Sequence, residues 1–164
     1  MNDPILTSEN DAAAANTTVS ASTEAAAAAP NMAAAPNSAA AWIAQLQDPK
    51  AGKREAALVA LADLKDVSAV DPILALLAQE SNENVRLNAV RALGDIGVGS
   101  AAQPLAAYLP SESSPAVRQA ALFALGRIRQ PQSIPLLAKS LVEEPAYEVR
   151  YGAVDALSKF NQPE

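Results

Sequence analysis

Residues 80–97 read ESNENVRLNAVRALGDIG, and residues 112–129 read ESSPAVRQAALFALGRIR, so one pattern returns 32 positions later. Its arginine occurs four times along the chain at this spacing, as Arg54, Arg86, Arg118 and Arg150. An alanine three positions after each arginine and a leucine seven positions after it recur with the same period. A fixed period of this length indicates stacked copies of one supersecondary unit, and it argues against a single globular core.

Each copy has the apolar spacing of two helices. In the longer second helix, apolar residues fall three or four positions apart, as at Val85, Ala89 and Leu93. The first copy has Lys53 at the opening apolar position. The first helix is shorter, and in three copies a proline lies in its first turn, where a missing N–H costs least. These prolines are Pro72, Pro104 and Pro135. The pattern predicts an all-α solenoid with units at about 41–66, 67–98, 99–130 and 131–161.

Two glycines interrupt the second helices at equivalent positions. Gly94 and Gly126 are 32 residues apart, and each falls in mid-helix. Glycine at such a position costs roughly 1 kcal/mol relative to alanine. Its presence in two copies therefore predicts that neighbouring helices approach closely at these points.

Residues 1–40 differ in composition from the rest of the chain. They contain runs of alanine with Ser, Thr and Asn, two prolines (Pro30 and Pro36) and few large apolar side chains. Such a segment cannot bury enough surface to offset the entropy of ordering it, so we predict a disordered Ala/Pro/Ser-rich tail followed by a repeat domain at 41–164. The tail carries four acidic residues and no Lys or Arg. With no basic cluster and a net charge of −6, the chain is a poor candidate for binding nucleic acid.

The N-terminal segment has no positively charged start followed by an apolar stretch, and its alanine runs are too short to span a bilayer. We therefore expect neither a Sec-type signal peptide nor membrane insertion. Cysteine is absent, which excludes a disulfide framework and fits a reducing compartment. These features together predict a cytoplasmic protein.

The segment from Glu80 to Gly97 resembles a HEAT-type repeat, and the period is similar to that of the bilin-lyase-like, or E–Z type, subclass. The resemblance covers residues 42–161 in four copies, of which the first is degraded. It implies a short right-handed superhelix whose first helices form the convex side and whose second helices line the concave side. It also implies that an acidic residue in the turn pairs with the arginine six positions later. These pairs are Asp48/Arg54, Glu80/Arg86, Glu112/Arg118 and Glu144/Arg150. Because their role repeats in every unit, we interpret them as structural.

The inventory of catalytic groups is poor. The chain has no His and no Cys, so the usual general base, thiol nucleophile and thiolate metal ligands are missing. Residues 97–102 match the G-x-G-x-x-A dinucleotide fingerprint, but that fingerprint requires a preceding strand, and here a helix is predicted. We therefore expect no catalytic residues, no cofactor and no metal. The remaining enzymatic alternative is a lyase subunit.

One stripe of positions varies between the copies. The residues one, five and nine positions after each arginine share a face of the second helix, since four residues nearly complete a turn. If the second helices line the concave side, this stripe forms its floor, and variation there is typical of a specificity surface. The residues predicted to contact a partner are Val59, Asp63, Leu87, Arg91, Asp95, Gln119, Phe123, Arg127, Tyr151, Asp155 and Lys159.

The order of charges adds to this prediction. In the ninth-position row, Asp63 and Asp95 precede Arg127 and Lys159, so one end of the surface is acidic and the other is basic. Such a row would orient a bound peptide or helix.

The leading hypothesis is a non-catalytic scaffold or adaptor that binds a partner protein segment on the concave face. The resemblance implies an alternative, a bilin lyase subunit or tetrapyrrole-chaperone-like protein. A third hypothesis is a structural module that associates with itself through the ends of the solenoid. Tyr147 and Phe160 would be incompletely covered there, whereas terminal repeats need polar outer faces.

Overall fold

The computed structural model describes residues 38–161, and this part of the chain contains eight α-helices and no strand. The helices are α1 Ala39–Gln45, α2 Ala51–Leu64, α3 Val70–Gln79, α4 Glu83–Ile96, α5 Ala102–Tyr108, α6 Pro115–Ile128, α7 Ile134–Glu143 and α8 Tyr147–Phe160. Short 3₁₀ turns border the first helices, at Val67–Ala69, Gly99–Ala101, Leu109–Ser111 and Pro131–Ser133. The predicted solenoid of four helix pairs is confirmed. The predicted disordered tail, up to residue 37, lies outside the described residues.

The first helix begins two residues before the predicted start of the repeat domain. The side-chain oxygen of Ser38 accepts a hydrogen bond of 3.3 Å from the N–H of Ala41, which caps the helix. Trp42 and Ile43 are half-buried against the core, and Leu46 is fully buried just after the helix ends. The first unit thus has a helix pair of its own despite its weaker sequence pattern.

The second helices all contain 14 residues and differ in how they begin. The side chains of Asn82 and Ser114 each accept a hydrogen bond from the N–H three residues later, and they cap α4 and α6. At the equivalent positions before α2 and α8, Lys50 and Ala146 make no side-chain cap. Gly97 ends α4 with a left-handed φ of 72°, a conformation that glycine adopts without steric cost.

The core follows the repeating columns. The alanine column three positions after each arginine is completely buried in all four units. It consists of Ala57, Ala89, Ala121 and Ala153. Aliphatic side chains such as Leu58, Ile73 and Leu105 fill the space between the two helices of each pair. Within the described range, every helix is too short or too polar to cross a bilayer.

Close helix approach occurs where the two glycines predicted it. A methyl group on Gly94 would lie 2.8 Å from the Cα of Ala124, and one on Gly126 would lie 2.6 Å from the Cα of Ala156. The second helices therefore nearly touch along the stack, while the first helices contact one another far less. This difference in spacing places α2, α4, α6 and α8 on the concave side of residues 38–161.

The arginines pair with a different unit from the one that the resemblance implied. The Arg54 guanidinium binds the carboxylate of Glu80, 26 residues later, with Nε–Oε2 and Nη2–Oε1 distances of 2.7 and 2.9 Å. Arg86 binds Glu112 and Arg118 binds Glu144 in the same bidentate way. We call these three ion pairs the arginine ladder.

Within its own unit, each arginine donates hydrogen bonds only to backbone oxygens, and the guanidinium of Arg150 also lies over the Tyr147 ring, 6.0 Å from its centroid. The Nη1 of each arginine donates to the carbonyl group of the acidic residue six positions earlier, as in the 2.8 Å bond from Arg54 to Asp48. The predicted ion pairs between side chains six positions apart were therefore wrong. They were Asp48/Arg54, Glu80/Arg86, Glu112/Arg118 and Glu144/Arg150. The turn before each second helix is tight enough to present its carbonyl oxygens to the arginine, which leaves the guanidinium edge directed towards the next unit.

Glu112 is the most buried acid of the ladder, with 2 % of its side chain exposed. Burial raises its pKa, but hydrogen bonds from Arg86, the Tyr108 hydroxyl and the Ser114 N–H outweigh burial, so the pKa lies below its ordinary value. Glu80 behaves likewise: burial is offset by bonds from Arg54 and a backbone N–H, and its pKa is lowered. Both acids are therefore held as carboxylates that join consecutive units.

Candidate binding groove

The second helices α4, α6 and α8 enclose an open groove of about 610 Å³ on the concave side. Eight of the eleven residues predicted to contact a partner line this groove. They are Leu87, Arg91, Asp95, Gln119, Phe123, Arg127, Asp155 and Lys159. The structure thus brings most of the predicted stripe together around a single concavity, which we call the concave groove.

The floor of the concave groove is made of small residues that are not among the predicted contact residues. Ala116, Ala120 and Ala124 follow one another at four-residue spacing along α6, and Gly94 of α4 lies beside them. In the sequence these floor residues are visible as a stripe of alanines. Alanine also fills the buried columns where helices cross, so residue type alone does not separate the floor from the core. Because these side chains are small, they fill little of the space above the helices, and the groove is deep. The backbones of α4 and α6 also approach closely at Gly94.

Apolar and aromatic side chains form the walls. Leu87 and Phe123 are both half-buried, and both line the groove from neighbouring helices. The Phe123 ring meets the ring of Tyr151 edge to face, with centroids 6.3 Å apart and an angle of 80° between the planes. Tyr151 itself is 53 % exposed and stands beside the groove. An edge-to-face pair of this kind holds both rings in place and leaves one face of Tyr151 open.

Charged groups occupy the rim, and most of them are paired. Arg127 forms an ion pair with Asp95 of the preceding unit, and the Nζ of Lys159 lies 3.6 Å from a carboxylate oxygen of Asp155. Arg91 is exposed, and no ion pair involves it among residues 38–161. The two middle members of the charge row predicted from the sequence therefore neutralise each other, and Arg91 is an exposed cation of the rim that forms no ion pair within residues 38–161.

Three of the predicted residues lie elsewhere. Val59 and Asp63 are exposed on α2, outside the lining of the concave groove, and Tyr151 reaches it only through its contact with Phe123. The variable stripe of second-helix residues runs through all four units, but the concave groove forms only along the last three. The large apolar side chains of the stripe, Leu87 and Phe123, are also found there.

Comparisons with known proteins agree with the stack of helix pairs described above. The sequence profile for HEAT repeats matches residues 39–121 and 103–164. No curated protein sequence matches the chain. Among solved structures, the complex of CpcE and CpcF of phycocyanin lyase from Nostoc sp. PCC7120 has a similar fold. Its TM-score is 0.54, with 22% sequence identity over 88% of this chain and 71% of that chain. The two profile matches span most of the sequence, as the recurring arginine predicted, and the chain belongs to the HEAT-repeat family.

Proposed function

We propose that the protein is a non-catalytic interaction module that binds a segment of a partner protein in the concave groove. The observation that carries this proposal is the convergence of the non-repeating residues of three units on one depression of about 610 Å³. A residue that serves the scaffold is the same in every unit, as in the arginine ladder. Residues that differ between units and share one concavity are free to fit a ligand.

The chemistry of the concave groove favours an apolar side chain flanked by an acidic group. The alanine floor and the walls at Leu87 and Phe123 form an apolar pocket, and Arg91 at the rim has its guanidinium available. Aromatic and arginine residues surrounded by small contacts are typical anchors of protein interfaces. A partner segment that inserts Leu, Met or Phe and places Asp or Glu beside it satisfies both features.

The size of the groove limits the segment that it accepts. From α4 to α8 there are two helix spacings, and at about 8–10 Å each the groove is roughly 20 Å long. That length matches an extended segment of about six residues or a helix of about thirteen. A short linear segment therefore suits the groove better than a large flat domain surface.

The experiment is affinity capture from native cell extract with the full chain as bait. The double variant Phe123→Ala with Arg91→Ala is expected to reduce the captured partner at least tenfold, because it removes both anchors. The control is Val59→Ala, which alters the same helix position in the first unit, outside the groove. Circular dichroism confirms that both proteins are folded.

A variant that changes only a charge at the rim shows whether weaker capture of the partner results from lost binding or from disturbed packing of the groove. Arg91→Glu leaves the contact between Phe123 and Tyr151 intact, so its folding is unaffected. It is expected to weaken binding of an acidic segment as strongly as the double variant does. If the double variant and Arg91→Glu capture the partner as well as Val59→Ala does, the assignment of the groove is wrong.

A second candidate is a bilin lyase subunit or tetrapyrrole chaperone. The fold likeness to the phycocyanin lyase complex supports it, as does a groove volume within the range of about 300–1,000 Å³ common for small-molecule sites. Arg91 and Lys159 at the rim offer partners for the carboxylates of an open-chain tetrapyrrole. Titration with biliverdin, followed by its absorbance, decides between the two. A saturable spectral shift that Arg91→Ala removes would favour the tetrapyrrole, whereas an unchanged spectrum favours the protein segment.

We propose a binding role without catalysis because of the residue types available. The chain contains no His and no Cys, and the concave groove presents Asp, Arg, Lys and Gln side chains over an alanine floor. These groups bind and orient a ligand, whereas the imidazole and thiol side chains that most often serve as general base and nucleophile are missing from the chain.

A further inference from the structure

The arginine ladder has an open position at Arg150. The Nη1 atom of Arg150 donates to the carbonyl oxygens of Glu144 and Pro145, at 2.9 and 2.8 Å, as in the preceding units. Its Nε and Nη2 atoms correspond to those that bind the next unit's glutamate in the three earlier arginines. Among residues 38–161, neither atom has a carboxylate partner. Arg150 therefore presents a preformed site for a carboxylate.

The face around Arg150 has the composition of an internal interface. Ile134, Leu141 and Val154 are 38 %, 36 % and 49 % exposed, although all three side chains are large and apolar. The equivalent residues of the two preceding units are all at most 5 % exposed, because the next helix pair covers them. These residues are Val70 and Ala102, Leu77 and Leu109, and Val90 and Leu122. We call Ile134, Leu141, Arg150 and Val154 the α7–α8 face.

The first unit carries the complementary half of the same contact. Asp48 lies at the position of the ladder glutamates, and its carboxylate accepts a 2.9 Å hydrogen bond from the Lys50 N–H, as Glu80 does from the N–H two residues later. Its only side-chain partner in the described part of the chain is Lys53, at 3.0 Å and 57 % exposed. An exposed ion pair of this kind is easily exchanged for another. Asp48 can therefore accept a guanidinium from outside the chain.

The surface next to Asp48 also fits. Ala60 on α2 belongs to the column of Ala124 and Ala156, the residues against which the preceding unit packs at close range. A small residue at this position leaves room for the last helix of another solenoid, which has Ser158 at the position of Gly94 and Gly126. The first unit thus provides a surface that is complementary to the α7–α8 face.

We infer that a second copy of this chain docks head to tail, with Arg150 of one copy binding Asp48 of the next. The contact repeats the type of pairing in the arginine ladder, in which an arginine binds the acidic residue of the next unit. It is heterologous, so further copies can add in the same direction. Arg150 and Asp48 lie outside the lining of the concave groove, so the groove stays accessible in the assembly.

The test is sedimentation velocity of the full chain over a range of protein concentrations. The wild-type protein is expected to gain average mass as concentration rises. Arg150→Glu and Asp48→Arg each place like charges at the contact, so each alone is expected to weaken association at least tenfold. An equimolar mixture of the two variants is expected to associate again, because every junction then joins opposite charges.

The matched control is Lys139→Glu, which changes the net charge as Arg150→Glu does. Lys139 is exposed on α7 and lines a cleft shared with Leu109 and Arg118 of the preceding unit, and it is not part of the α7–α8 face. Its association should equal that of the wild type. Val154→Asp on the α7–α8 face serves as a second disrupting variant, and circular dichroism checks that each protein is folded.

Three results would overturn the inference. One is a wild-type protein of constant monomer mass at every concentration. Another is association that neither the two charge variants nor Val154→Asp weakens. The third is a mixture of Arg150→Glu and Asp48→Arg that associates no better than either alone. None of these results affects the proposal for the concave groove, which is tested with different residues.

Discussion

Replacing Glu112 with Gln tests how much the arginine ladder stabilises the stack. Glu112 accepts four hydrogen bonds, two of them from Arg86, and only 2 % of its side chain is exposed. Removing one partner of a buried ion pair costs about 3–5 kcal/mol, because the other charge stays buried without compensation. Arg86 keeps 15 % of its side chain exposed and still binds backbone carbonyls, which places the expected loss near the lower end, at about 3 kcal/mol.

The assay is urea denaturation of Glu112→Gln followed by circular dichroism, beside two graded controls. Glu144→Gln breaks a pair whose two side chains are each 14 % exposed, so its cost should lie between those of an exposed and a buried pair, at about 1–2 kcal/mol. Glu143→Gln alters a carboxylate that is 65 % exposed and should change stability by less than about 0.5 kcal/mol. A loss of 3 kcal/mol corresponds to a fall in Tm of about 10 °C for a domain of this size. If Glu112→Gln is no less stable than Glu144→Gln, burial does not set the strength of the ladder.

Further predictions concern helix approach, capping and pH. Gly126→Ala would place a methyl group 2.6 Å from the Cα of Ala156, so we expect a loss of about 1–3 kcal/mol in the same denaturation assay. Gly52→Ala, where nothing lies within 4 Å, should instead be neutral or stabilising. Ala146→Ser supplies the missing cap of α8 and should raise stability by about 1 kcal/mol, a gain that Ala146→Val should not give. The lowered pKa of Glu112 means that its stabilisation is complete above an ordinary pKa of about 4.5 and is lost as pH falls through the lower folded value. Stability measured from pH 6 to pH 2 should therefore fall less steeply for Glu112→Gln than for the wild type.

The repeating part of the fold could be predicted from the sequence because every copy gives the same information. Four arginines at one period define the units, and the buried alanine column and the close approach at Gly94 and Gly126 follow from residue type and position. The start of the first unit was harder to locate. Ala39 and Ala40 have the composition of the preceding segment, and only the cap at Ser38 shows that the helix has begun.

The partner of each arginine could not be obtained from spacing alone. Residues six and 26 positions away from Arg54 are both acidic, and both recur with the period, so the sequence contains two consistent pairings. The structure selects the longer one because the turn before each second helix offers its carbonyl oxygens to Nη1 and leaves Nε and Nη2 facing the next unit. The depth of the concave groove was unpredictable for a similar reason. The alanines of its floor match those of the core in residue type, and only their position on α6 separates them.

The shape of the concave groove depends on the arginine ladder, although the two share no residue. The groove lies between units, so its shape is set by the relative position of α4, α6 and α8, and the ladder fixes that position at its own level of the stack. The pair between Arg118 and Glu144 joins the unit of Phe123 to the unit of Asp155 and Lys159. A substitution at Glu144 is therefore expected to loosen one wall of the groove without changing any residue that lines it. This coupling explains how a stack of nearly identical pairs holds a specific surface, since the constant residues fix the geometry and the variable residues provide the chemistry.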